Sequence, residues 1–175
     1  GQLIGIVSEK DLLNAFSSSI TSSILWKTRK LLRVLKVKKV MAQKLITITE
    51  DDTLEEAAIV MFSCKSGGLP VIRRKSLIGI ITKTDLYQVF LKIIGARSPG
   101  VRITVLVPNV KGTMAMIAKA IVNAGGNIVG FGASEAIHND EGLWDCVLKV
   151  QGVTRDKLLD TVKPLVNLVT DVRIQ

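Results

Sequence analysis

The hydrophobic pattern of this chain repeats itself. Leu3-Ile4-Gly5-Ile6-Val7 is a short apolar run rich in β-branched residues, which predicts a buried strand. Ser8 and Asp11 follow at the spacing of a helix N-cap and its reciprocal partner. The same succession returns 74 positions later as Leu77-Ile78-Gly79-Ile80-Ile81, then Thr82-Lys83-Thr84-Asp85-Leu86, with Phe90 at the offset of Phe16. Such a repeat predicts a duplicated strand–helix unit. Between the copies, Leu45 to Ile48 predicts a strand. Thr53-Leu54-Glu55-Glu56 opens a helix running to about Ser63, and Gly67-Gly68-Leu69-Pro70 leads into the strand Val71-Ile72-Arg73. Arg74-Lys75-Ser76 reads as a hairpin turn.

The second half has a different rhythm. Val101 to Val107 predicts a strand, and Thr113 is placed to cap a helix through Met114, Ile117, Ala118 and Ile121 that ends at Gly125-Gly126. Asn127 to Phe131 predicts a second strand, and His138 to Gly142 a turn. Leu143 to Val150 predicts the third strand, Thr154 to Pro164 a helix with Leu158, Leu159 and Val162 inward, and Val166 to Ile174 the last strand. The order βαββαβ is the ferredoxin-like arrangement.

Charge sharpens the division. Of 24 Lys and Arg against 15 Asp and Glu, 16 and 8 lie between Gly1 and Ser98, and only 8 and 7 after it. Gly95-Ala96-Arg97-Ser98-Pro99-Gly100 punctuates the boundary. Between Lys27 and Lys39 there are seven basic residues and no acidic one, interleaved with Leu31, Leu32 and Leu35. This predicts a connecting helix with a solvated basic face. Seven aromatics and no recognised motif argue against a nucleic-acid surface. Apolar residues make up 47% of the chain, which excludes a mainly disordered protein. No apolar run is long enough for a membrane span, and no leader pattern opens the chain, so a cytoplasmic protein is expected. Two cysteines, Cys64 and Cys146, predict reduced thiols, and a single histidine, His138, argues against a His-based metal site or a Ser-His-Asp triad. The reading is a non-enzyme without an obligatory cofactor.

Val40-Met41, Thr53-Leu54-Glu55-Glu56-Ala57, Gly68-Leu69-Pro70-Val71 and Gly79-Ile80-Ile81-Thr82-x-x-Asp85-Leu86 together resemble one complete CBS domain. Gly1 to Phe16 resembles the tail of a preceding CBS domain whose first half is absent. A Ser-rich entry, Trp26, Leu31-Leu32 and Val37-x-x-Val40-Met41 make the connector similar to that of acetoin-utilisation-type CBS proteins, with Lys27 where those have an acidic residue. Gly112 and Gly126-Asn127-Ile128, in their βαββαβ setting, look like an ACT domain. The resemblance implies an α+β chain: a CBS remnant at 1–16, a connector helix at 17–39, a second CBS domain at 40–95 and an ACT domain at 96–175.

The resemblance also implies a ligand. CBS pairs bind adenine nucleotides (AMP, ADP, ATP or S-adenosylmethionine) in their cleft. Asp85 is the candidate for the ribose hydroxyls, since one carboxylate accepts from both. Thr82, Lys83 and Thr84 stand at a helix start, where a phosphate is favoured, with Lys65 and Arg73 as further cations. Leu45, Ile46, Gly68, Leu69 and Pro70 are the candidates for an adenine slot. Ser8 and Asp11 carry the same elements in the first copy. ACT domains pair side by side and take amino acids at the first loop, where Asn109, Gly112 and Asn127 match; the alternative for these is turn chemistry. Gly130-x-Gly132 after a strand invites a dinucleotide reading, but Glu135 stands where the third glycine belongs. The expectation is therefore a regulatory, ligand-sensing homodimer whose units are coupled through the short Ile94–Gly100 junction. The competing expectation is an assembly protein with vacant pockets.

Overall fold

The computed structural model describes residues 3–17, 35–136 and 142–175. The connector with Trp26 and Leu31-Leu32, and the turn residues His138 to Glu141, lie outside the described residues. The chain divides into two compact units, Gly1–Leu86 and Tyr87–Gln175.

In the first unit, Ser8 precedes helix α1 (Glu9–Ser17). Ile6 bridges Ala42 in antiparallel fashion through N–H···O bonds of 3.2 and 2.9 Å. A 3₁₀ turn, Val37–Lys39, leads to Met41, whose sulfur would lie 2.3 Å from a Cβ at Gly5. Strand β1 (Ile48–Thr49) is followed by α2 (Leu54–Ser63), β2 (Gly68–Arg73), β3 (Ser76–Thr82) and α3 (Lys83–Ile93), the last crossing into the second unit. The sheet order is β1-β2-β3, with β1 parallel and β3 antiparallel to β2. The predicted strand at Leu45 shrinks to two residues. The Leu45 N–H turns back to the Gln43 carbonyl at 3.1 Å, so the chain curls before it pairs. Asp52 then accepts from the Thr49 hydroxyl at 2.9 Å and ends the strand.

Helix α2 starts where the sequence places it. Thr53 Oγ1 accepts from the Glu56 N–H at 3.2 Å, and the Glu56 carboxylate accepts from the Thr53 N–H at 2.7 Å, a complete capping box. Ala57 and Met61, one turn apart, meet Ile48 and Leu69 in a small buried core.

The second unit contains β4 (Val101–Pro108), α4 (Thr113–Asn123), β5 (Asn127–Glu135), β6 (Leu143–Gln151), α5 (Arg155–Val162) and β7 (Leu168–Ile174). Its antiparallel neighbours run in the order β5-β6-β4-β7, so the unit has the ferredoxin-like topology. Alternate residues of β4 (Val101, Ile103, Val105, Val107) and of β6 (Cys146, Leu148, Val150) face Ile117, Ile121, Leu158 and Val162 of the two helices. Helix α4 begins one residue earlier than predicted. Gly112, at φ +93°, is its N-cap, and Thr113 instead donates its hydroxyl to the Val110 carbonyl at 3.0 Å. Its end is as expected: the Gly125 and Gly126 N–H groups bond Val122 and Ile121 carbonyls, a Schellman motif. Thr154 caps α5 by accepting from the Lys157 N–H at 3.3 Å.

Candidate functional site

The two sequence copies fold into the same local device. At the start of α3 the Asp85 carboxylate Oδ2 accepts from the Thr82 N–H at 2.8 Å and the Thr82 hydroxyl at 2.6 Å. The Asp85 N–H donates back to the Thr82 hydroxyl oxygen at 3.3 Å. At the start of α1, Ser8 and Asp11 reproduce these distances: 2.8, 2.6 and 3.3 Å. Both donations to each carboxylate fall on Oδ2, so Oδ1 takes no part in either box. The hydroxyl first, and then the backbone N–H, hold the Asp85 carboxyl below the ordinary range, and Ser8 does the same to Asp11. Each helix start therefore presents an ionised carboxylate at neutral pH. Thr84 and Lys83 are exposed beside Asp85.

The other candidate residues divide between surface and core. Leu69 is 1% exposed and belongs to the core; Pro70 is buried, and Gly68 and Leu45 are half-buried. Ile46 is exposed. Pro70 also borders an open hollow of about 540 Å³ whose walls are apolar: Ile6 and Val7 on one side, Leu77, Gly79 and Ile80 on the other. The space beside Gly79 is empty, whereas Met41 fills the space beside the matching Gly5. Sequence reasoning named Pro70 alone among these walls. The continuous apolar run Leu77 to Ile81 read as a buried strand, whereas Leu77, Ile78 and Ile80 are exposed along the free edge of β3. Arg73 pairs in bidentate fashion with Glu50, so that cation is already occupied.

In the second unit, Asn109 and Gly112 follow the end of β4, while Asn127 opens β5. β4 and β5 both pair antiparallel with β6, so they run in the same direction. Asn127 therefore lies at the opposite end of the sheet from Asn109 and Gly112 within one chain. The Asn109 N–H bonds the Gly142 carbonyl at 2.7 Å. Gly130 and Gly132 lie inside β5, and the next element among the described residues is the strand β6. Among the described residues there is no acidic, His or Cys cluster suited to a metal ion, and no helix long and apolar enough to cross a membrane.

Residues 37–92 match the CBS domain family. A CBS domain-containing protein of Dictyostelium discoideum is 35% identical over 95 residues, covering 54% of this chain and 66% of the relative. A solved structure described as an acetoin utilization protein (AcuB) from Vibrio cholerae is 31% identical, with 55% of this chain and 64% of that one covered and a TM-score of 0.43. CBSX2, solved in complex with AMP, is 25% identical, with 53% and 65% covered and a TM-score of 0.41. The chain spans slightly less than two thirds of each of these relatives. The match runs from the 3₁₀ turn through β1 to α3, so it is the stretch 37–92 that is similar to the CBS domain family.

Proposed function

We propose that the chain is a regulatory, non-catalytic protein that senses an adenine nucleotide, AMP, ADP, ATP or S-adenosylmethionine, on its CBS segment. The observation that carries this reading is the Thr82–Asp85 box. It holds an ionised carboxylate at the first turn of α3, with Oδ1 outside the box and open to a ribose diol. Lys83 and Thr84 offer a cation and a hydroxyl to a phosphate at the same helix start. The apolar hollow bordered by Pro70 and Ile80, two residues before Thr82, offers the kind of surface an adenine ring requires. The second unit is assigned as an ACT domain on its element order and on Gly112 and Gly126-Asn127, with dimerisation or amino-acid binding as its role. The protein is placed in the cytoplasm.

The test is titration calorimetry of the full chain against the four nucleotides and a panel of amino acids. Saturable binding of one nucleotide is expected. Asp85→Ala should weaken it by about 1.5–3 kcal/mol, the worth of hydrogen bonds to a charged group, and Asp85→Asn should weaken it less. Absence of binding by all four would remove the sensing role.

A second reading has its own observation. On α2, Phe62 is 86% and Ile59 65% exposed, and α3 exposes Tyr87 and Ile93. Apolar helix faces of this kind mark an interaction surface, which favours a homodimer and, if no nucleotide binds, a purely assembling protein. Light scattering that returns the mass of a single chain at micromolar concentration would exclude it.

A further inference from the structure

The second face of the four-stranded sheet, the one turned away from α4 and α5, carries a cationic row that the nucleotide reading does not use. Strand register places Lys149 of β6 directly opposite Arg102 of β4, and Arg102 directly opposite Arg173 of β7. Like charges facing one another across strands are destabilising. Asp171, one row away, is shared between two of them: it accepts from Arg102 Nη1 at 2.9 Å and from Arg173 Nε at 2.8 Å. Lys149 is 1% exposed, and its ammonium donates to a neutral oxygen, Gln175 Oε1, at 3.0 Å. Thr104, opposite Asp171 on the same face, holds a buried hydroxyl that has no hydrogen-bond partner among the described residues. Asp145 lies two rows from Lys149.

This face is not flat. The C-terminal end of α3 lies over it and closes one side of a groove of about 500 Å³. Phe90 and Ile94 form that wall and Val147 and Gly132 the floor; Arg102 and Gln175 are polar lining, as are Ser134 and the Asp145 carboxylate, two rows along from Lys149, so an anion is favoured on the Arg102 side. A guanidinium has five N–H donors in a planar fork; the bond to Asp171 uses Nη1.

We propose that this groove is a binding site for a small organic carboxylate with an apolar body. The carboxylate sits on the Arg102 fork beside the Gln175 amide, and the body lies against Phe90, Ile94 and Val147. Lys149, behind Gln175, contributes field rather than contact. The bound anion supplies the negative charge that the Lys149–Arg102–Arg173 row lacks, and a bidentate fork with one apolar wall is the usual recognition of such a group. The site is independent of the nucleotide reading, since it uses only residues of the second unit.

The experiment is a ¹H–¹⁵N NMR titration of the full chain with benzoate, with benzamide as the uncharged control. Saturable shifts confined to the Gly132, Ser134 and Val147 amides are expected with benzoate, and at least about tenfold weaker binding of benzamide. Arg102→Gln should lose about tenfold or more of the benzoate affinity, the loss of a charge-assisted hydrogen bond. Lys149→Met, which removes a buried like charge without emptying its volume, should raise the melting temperature of the free protein and weaken benzoate severalfold. Equal affinity for benzamide, shifts scattered over both units, or unchanged benzoate binding in a folded Arg102→Gln or Lys149→Met variant would overturn the proposal.

Discussion

Gly95 and Gly130 lie backbone against backbone. A Cβ on Gly130 would fall 2.3 Å from the Ile94 carbonyl carbon and oxygen, and one on Gly95 would fall 2.9 Å from the Val129 carbonyl oxygen. Gly95 holds φ +63° while the N–H groups of Gly95 and Ala96 bond the Lys92 and Leu91 carbonyls, a Schellman end to α3. The two glycines thus let the end of α3 lie directly on β5. Gly95 is buried in that contact and does not act as a free swivel within the second unit. The same contact makes Gly130 a packing residue, which accounts for a Gly-x-Gly pattern that is not a phosphate loop.

Gly130→Ala should therefore destabilise the second unit by about 2–3 kcal/mol, because the atoms in the way are backbone and cannot rotate aside. Gly132→Ala should be close to neutral, since the nearest atom to its Cβ is the Ile94 side chain at 3.9 Å. Urea midpoints of the two variants decide it; equal losses would show that the close approach is not what selects glycine.

The Asp85 carboxyl should titrate below an ordinary aspartate, and Thr82→Val should raise it, because the Thr82 hydroxyl is the largest cause of the depression. A depressed folded-state pKa contributes stability that is present above the unfolded value of about 3.9 and is lost as pH falls through the folded one. Asp11, Asp52 and Glu50 are lowered as well. Unfolding free energy should thus decline on acidification from about pH 5 downward. Carbon-detected NMR of the carboxyl groups measures the titration, and urea unfolding at a series of pH values measures the stability; a Thr82→Val titration identical to wild type would refute the assignment.

The hairpin between β2 and β3 turns on Arg74 at φ +46° and Lys75 at φ +73°. Both lie in the left-handed region that suits Asn-Gly, and neither residue favours it. Lys75→Gly should stabilise the protein by about 1 kcal/mol. Thermal midpoints would show it, and a lowered midpoint would mean that the turn adopts another form in solution.

Cys64 is exposed and Cys146 buried, and burial, followed by the Asp145 charge, pushes the Cys146 thiol up. A disulfide reagent at neutral pH should titrate one thiol promptly and the second only on unfolding. Two fast thiols would place Cys146 at the surface and contradict the packing of β6.

Much of the local structure was legible along the chain. Thr53 with Glu56, Thr82 with Asp85, and Gly125-Gly126 act within four or five residues, where capping geometry depends on spacing alone. Gly112 was harder to read, because a glycine and a threonine in succession both suit a helix start and only the conformation of the loop from Pro108 separates them. The candidate site was legible in part. Asp85 and Pro70 could be singled out from a motif, but Leu3 to Val7, the opposite wall of the hollow, are distant in sequence from Leu77 to Ile80.

The sequence by itself determined the repeated hydroxyl–x–x–Asp helix start, the Thr53 and Thr154 caps and the order of elements from β4 to β7, because each follows from short-range spacing and periodicity; the strand expected at Leu3 to Val7 is only a single bridge from Ile6 to Ala42. Tertiary structure decided which strands are neighbours and in what register. It set Lys149 against Arg102 and Arg173, left the space beside Gly79 open while Met41 filled that beside Gly5, and brought Gly95 onto Gly130. Alternation within a strand says which residues share a face; only pairing between strands says which residues share a row.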